Sequence, residues 1–188
     1  MRGRHLSDGL TEEVFAAAQH GSQLAFATIY RDLAPKVAGY LTARGARDPD
    51  ALTSDVFLAV LPKLPSLTGG VSGLRTFVFS VAHHRLVDDL RKGQRQLDAT
   101  EYIPDLDDRT AESAEQGALN ALGLSSVRNM LSKLNVEQRT VIALRVLADL
   151  TVEQVAEILG KTPGAVKQLQ RRGLLELRRL VEQADVTL

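Results

Sequence analysis

Residues 151–179 read TVEQVAEILGKTPGAVKQLQRRGLLELRR, and few folds other than two helices around a tight turn accommodate them. Thr151 and Gln154 have the spacing of a capping box, in which a hydroxyl and a side-chain amide satisfy orphan N–H groups at a helix start. Val155, Ile158 and Leu159 then give one apolar stripe, and Gly160 supplies a stop that tolerates left-handed backbone. Thr162 and Pro163 follow as N-cap and first residue of a second helix. A short helix, a three-residue turn and a longer helix form the geometry that sets a recognition helix into a DNA major groove.

The second helix carries the matching chemistry. Val166, Leu169, Leu174 and Leu177 are expected on its inner side, with Lys167, Gln168, Arg171 and Arg172 on the other. Lys167/Arg171 and Gln168/Arg172 are i,i+4 pairs, so the four side chains form one patch. Lys and Arg can reach guanine or phosphate, and Gln can pair with adenine. Gly164 and Ala165 let a phosphate approach the helix N-terminus. Gly173 is costly inside a helix, by up to about 1 kcal/mol against Ala, and close packing on a neighbouring helix is the expected reason.

A DNA-facing module sits oddly in a chain of zero formal net charge. The balance is a cancellation. Residues 1–95 hold twelve basic and nine acidic side chains, residues 96–124 one and seven, and residues 125–188 ten and seven. Two mildly basic segments therefore flank a strongly acidic one, the pattern of a solvated connector. With 188 residues and 44% hydrophobic content, the chain can bury a core as one domain or two small ones. The absence of cysteine excludes a disulfide framework and thiolate zinc sites and fits a reducing cytoplasm. His5, His20, His83 and His84 lack metal-ligand spacing. No signal-peptide segment opens the chain, and the longest apolar run, residues 56–61, is far too short for a bilayer.

Periodicity elsewhere is helical, with hardly a strand signal. Helices are expected over residues 11–19, 22–44 (with Pro35 a possible kink), from Pro49 through Leu61, and 74–92. A Pro/Gly loop is expected over residues 61–73. Periodicity fades from residue 93 to about 122. Four more helices follow, over residues 124–134, 136–148, 152–159 and 163–183. The fold class is therefore all-α: two small helical domains, 1–95 and 124–188, joined by an acidic flexible linker at 96–123, the second a helix-turn-helix.

The stretch LRTFVFSVAHHRLVDDLRKGQRQ mixes Arg75, Arg85, Arg91, Lys92 and Arg95 with Phe77, Phe79, His83 and His84. Cations interleaved with rings suit single-stranded nucleic acid, but at helical spacing Phe77, Val81 and Leu86 equally suit a core. Catalysis finds no support: there is no phosphate loop, nucleophile motif or facing carboxylate pair, since Asp88-Asp89 and Asp107-Asp108 are consecutive. No cofactor or metal site is expected.

With these parts placed, the chain resembles the extracytoplasmic-function (ECF) sigma factors of bacterial RNA polymerase over nearly its whole length. Leu52 to Leu58 resembles the family's "DLxQ(D/E)xFL" helix, with Ser54 in place of glutamine. Gly73 to Arg91 resembles "SFRTWLxxIARNxxxDxLR", with His83-His84 in place of Arg-Asn. Leu134 onward resembles "LPxxxRxVxxLRxxxxLSxxEIAxxLGxxxGxVKxxxxRA", with Gly173 in place of the customary alanine. The resemblance implies that Leu52, Asp55, Phe57 and Leu58 dock on the polymerase β′ clamp helices, and that the β flap is a further contact. It implies that Arg75, Phe77, His84, Arg85, Asp88, Arg91 and Lys92 serve the −10 element, with residues 64–73 capturing a flipped base. It assigns Gly164, Ala165, Lys167, Gln168, Arg171 and Arg172 to the −35 element. An anti-sigma factor is an expected partner, and the acidic linker would thread the polymerase cleft or act as a plain spacer.

The leading expectation is a polymerase subunit that recognises and melts promoters. The alternative is a stand-alone helix-turn-helix regulator, which would bind operator DNA tightly without polymerase. A net charge of only +3 on each DNA-facing segment predicts weak binding by the free chain, because few phosphate contacts release few counterions.

Overall fold

The computed structural model describes residues 9–99 and 129–185. Most of the acidic stretch lies outside them. The described residues are helical without strands: α1 (Glu12–Gln19), α2 (Gln23–Arg44), α3 (Pro49–Val60), a 3-10 segment (Leu61–Ser66), α4 (Gly70–Ala99), α5 (Val136–Ile142), α6 (Val152–Leu159) and α7 (Pro163–Asp185).

The helix starts are set by the side chains that the sequence places there. Thr11, Ser22, Asp48 and Asn135 each accept a hydrogen bond from the backbone N–H three residues on, which meets part of the unsatisfied donor set of a first turn. Pro49 opens α3 where its missing N–H costs nothing. Gly45 closes α2 in the left-handed region at φ 84°, a conformation that other L-residues adopt at a cost. The helix runs through Pro35 without ending.

The bounds of α4 differ from expectation at both ends. It begins at Gly70 instead of near residue 74, because Glu12 of α1 supplies the missing cap: its carboxylate oxygens accept from Val71 N at 3.0 and 3.1 Å. Gly73 fits there because a Cβ would run into the Thr68 carbonyl oxygen, which is backbone and cannot turn aside. Residues 61–66, read as loop, wind into the 3-10 segment with Leu64 buried. At its far end α4 continues to Ala99, so the first residues assigned to the linker are helical.

Helices α1–α4 surround a core of Ile29, Leu33, Val37, Tyr40, Leu41, Val56, Val60, Leu74, Val78, Phe79 and Leu86, all without solvent exposure. In the second helical group α5 passes into a π-helical turn (Ala143–Leu147). Together with α6 and α7 it encloses Val141, Leu144, Leu150, Val155 and Val166. The two groups pack on one another: α2 meets α5 and the π-helical turn, and α4 meets α6.

Candidate nucleic-acid and polymerase interfaces

The helix-turn-helix is built as its spacing demands. Thr151 Oγ1 accepts from Gln154 N at 3.2 Å, and Gln154 Oε1 accepts from Thr151 N at 2.8 Å. Gly160 takes φ 59° and Thr162 Oγ1 caps Ala165 N at 3.2 Å. The turn is tied to α5 by Lys161 Nζ, 2.7 Å from Glu137. Arg145 links the π-helical turn to α7, donating from Nε to Gln170 Oε1 at 3.2 Å and from its guanidinium to the Leu150 carbonyl.

On α7, Lys167, Gln168, Arg171 and Arg172 are all exposed. Among the described residues no ion pair engages the three cations, whereas Arg178 and Arg179 farther along are paired with Glu182 and Glu176. Gly164 and Ala165 lie at the open N-terminus, and a Cβ on Gly164 would meet only Thr162 Oγ1 at 4.0 Å. The six residues assigned to duplex DNA thus share one unobstructed helix end.

The packed face of α7 is Val166, Leu169, Gly173 and Leu177. Leu174, expected inside, is 45% exposed. The reason is Gly173: a Cβ there would lie 2.5 Å from Ile142 Cδ1 and 3.3 Å from Gln138 Cβ. The helix seats its glycine against α5, and the next residue is carried about 100° round the axis. Leu174 and Leu175 instead form a shallow groove of about 410 Å³ with Lys167, Gln170, Arg171 and Arg178.

The residues assigned to the −10 element do not gather in one place. Phe77, His84, Asp88 and Arg91 recur at spacings of seven, four and three and share one stripe of α4. Phe77 is half-buried, and His84 is exposed with Nδ1 2.7 Å from the Ser80 carbonyl oxygen. Arg85, Asp88 and Lys92 line a polar cleft against Leu52 and Asp55 of α3. Arg75 is only two residues from Phe77 and so faces nearly the opposite way. It reaches Asp32 of α2 at 3.7 Å and Asp149, ahead of α6, at 3.6 Å.

The α3 set divides likewise. Asp55 and Leu58 are exposed, Leu58 by 69%, and Leu52 is half-buried. Phe57 is buried with its ring 4.7 Å from that of Tyr30, so it supports the face from beneath. Tyr30 and Phe26, with Pro35, Thr53 and Ser54, open a groove of about 780 Å³ between α2 and α3.

Sequence reasoning gave no functional role to Tyr40 or Arg44, and gave Gln154 only its place in the capping box. Tyr40 Oη lies 2.8 Å from His83 Nδ1, and burial, against the opposing pull of Arg44, pushes its phenol well up. Arg44 is the nearby charge that acts on both Tyr40 and His83. Burial, with Arg44 and His84 nearby, lowers His83 to about 4. No motif marks this network; Arg44 reads in sequence as an ordinary cation at a helix end.

Residues 130–179 match the family model for sigma-70 region 4. The ECF RNA polymerase sigma factor ShbA of Streptomyces griseus is 34% identical over 135 residues, covering 70% of this chain and 71% of that one. The chain belongs to the ECF RNA polymerase sigma factors. The ECF sigma factor SigD of Mycobacterium tuberculosis is 29% identical over 174 residues, 89% of this chain and 82% of its own. In fold, the chain resembles the sigma factor RpoE solved in complex with the anti-sigma factor NepR from Bartonella quintana. The TM-score is 0.64 at 18% identity, covering 84% of this chain and 96% of that one. Its function is accordingly that of an RNA polymerase sigma factor, and its relatives are initiation factors rather than catalysts. Among the described residues no helix is long and apolar enough to cross a membrane, and no acid/His cluster could hold a metal.

Proposed function

We propose that this sigma factor reads promoters in two places and docks on core polymerase in a third. The α7 face of Lys167, Gln168, Arg171 and Arg172, with Gly164 and Ala165 at the helix start, contacts −35 duplex DNA. The carrying observation is that these cations stand exposed and, among the described residues, without ion pairs on a capped helix whose later arginines are neutralised. An exposed, uncompensated cationic patch is the footprint of a polyanionic ligand.

The −10 strand is taken by residues 64–73 with Phe77, His84 and Arg91 on the α4 stripe, where rings offer stacking and a cation follows phosphate. Arg75 stands apart from this stripe, on the other side of α4 between Asp32 and Asp149, and its place in the −10 contact requires that both pairs open. Melting follows from capture of an unpaired base, which removes it from the duplex equilibrium. Leu52, Asp55 and Leu58 form the polymerase face over Phe57, with the β′ clamp helices as partner, while the second domain meets the β flap. Domain limits at 1–95 and 124–188 suit this division. An anti-sigma factor is a further partner, as for the Bartonella quintana RpoE, and the working site is the bacterial cytoplasm.

The test is run-off transcription with core polymerase on a promoter selected from a genomic library. Lys167→Ala and Arg171→Ala should each lower −35-dependent initiation by about tenfold or more. A protein that acts only as an adaptor would lose nothing.

A further inference from the structure

The surface assigned to the −10 strand is not free. A cleft of about 450 Å³ runs along residues 68–80, and its other wall is α6 of the helix-turn-helix, contributing Glu153, Gln154, Glu157 and Ile158. Gln154 Nε2 crosses this cleft and lies 3.0 Å from the Ser72 carbonyl oxygen, 3.1 Å from Ser72 Oγ and 3.0 Å from Thr76 Oγ1. The other end of the same amide is occupied in the capping box, with Oε1 accepting from Thr151 N. One side chain therefore starts α6 and binds it to the start of α4.

We propose that this contact is an autoinhibitory latch, a closed state in which the first helix of the −35 module covers the −10 reader. The inference rests on the −10 assignment made above. Charge supports exclusion: the charged side chains lining the cleft are the carboxylates of Glu153 and Glu157, which repel a phosphate backbone. The block is one-sided, because the face of Lys167, Gln168, Arg171 and Arg172 stays exposed. The closed protein keeps its duplex-reading face and withholds its single-strand face.

The seam is also built to part. Arg44, Arg75 and Arg139 lie along it, each with a buried Nε that lacks a hydrogen-bond partner, and an unmet buried donor costs stability. Burial and then the like charge of Arg44 lower the Arg139 guanidinium, so the two cations oppose one another at the seam. The Arg75–Asp149 pair has an aspartate 83% exposed, a contact that water competes for. Polar bonds hold the seam and uncompensated cations weigh against it.

Gln154→Glu separates the two roles. Glutamate is a normal capping-box partner, so α6 keeps its start, but a carboxylate cannot donate to Ser72. Because the chain has no native cysteine, Ala17→Cys and Lys133→Cys, both exposed and outside the assigned interfaces, take spin labels on the two helical groups without background. The full-length variant should show a longer and broader inter-label distance than the parent, with its far-UV spectrum unchanged. It should bind a short mixed-sequence DNA single strand about tenfold more tightly, since apparent affinity scales with the competent fraction. Unchanged distances would overturn the latch. Opening without a gain in single-strand binding would overturn the blocking by showing that no reader lies beneath, and would count against the −10 assignment while the latch itself stood.

Discussion

Gly173 of α7 and Ile142 of α5 stand so close that a methyl group on the glycine would lie 2.5 Å from Ile142 Cδ1. This contact sets the rotation of α7, and with it the direction in which Lys167, Gln168, Arg171 and Arg172 point. Gly173→Ala should therefore destabilise the second domain despite its better helix propensity. Overpacking costs about 1–3 kcal/mol and the propensity gain returns about 1 kcal/mol. Ile142→Val removes the offending atom, so the alanine should cost less in that background. Denaturant melts of the four proteins in the cycle measure this coupling, and equal effects in both backgrounds would refute it.

Gly73 meets a harder obstacle, the Thr68 backbone carbonyl. A flexible side chain can swing away, and a backbone carbonyl moves only with the chain. Gly73→Ala should cost about 1–3 kcal/mol and disturb residues 64–73 more than any other part. Hydrogen exchange should show faster amides at 70–74; a variant as protected as the parent would contradict the packing argument.

His83 predicts an acid-side instability. Its folded value of about 4 lies below the ordinary 6.5, so the unfolded chain binds more protons between these pH values and stability falls as pH drops through them. The groups facing it are Tyr40, Arg44 and His84. His83→Gln keeps an acceptor for the Tyr40 hydroxyl and cannot take a proton. Its stability should fall less steeply than the parent's between pH 6.5 and about 4, as read by urea melts; parallel curves would place His83 outside the acid response.

Leu58, 69% exposed, and Asp55 should matter to polymerase and not to folding. Leu58→Ala should leave the melting temperature within about 2 °C, since surface changes move stability by under about 0.5 kcal/mol. It should weaken core-polymerase binding several-fold, because an exposed apolar residue has most to gain by burial at an interface. Pull-down titration against core enzyme decides between these outcomes and a merely solvated leucine.

Much of the helix-turn-helix was legible because its signals are local. A threonine three residues before a glutamine, a glycine after the last apolar residue and a Thr-Pro pair each act within one turn. The early start of α4 was not legible, because its cap, Glu12, comes from a helix far away in sequence. Leu174 was misplaced for a related reason: apolarity outranks glycine in any periodic count, yet close helix packing selects the smaller residue. The latch was hidden by its own economy, since Gln154 is fully accounted for as a capping residue before any distant partner is considered. Arg75 likewise looks like a phosphate ligand until Asp32 and Asp149 are seen beside it.

The central claim is that α7 reads duplex DNA as part of a promoter clamp delivered by polymerase. The most direct measurement is transcription by purified core polymerase, with and without this protein, on a genomic promoter library, alongside binding of the free protein to the promoters recovered. Discrete start sites that require the protein, share a −35 sequence and fade with Arg171→Ala are predicted, with weak duplex binding by the protein alone at physiological salt. No protein-dependent start sites, together with tight operator binding in the absence of polymerase, would contradict the account.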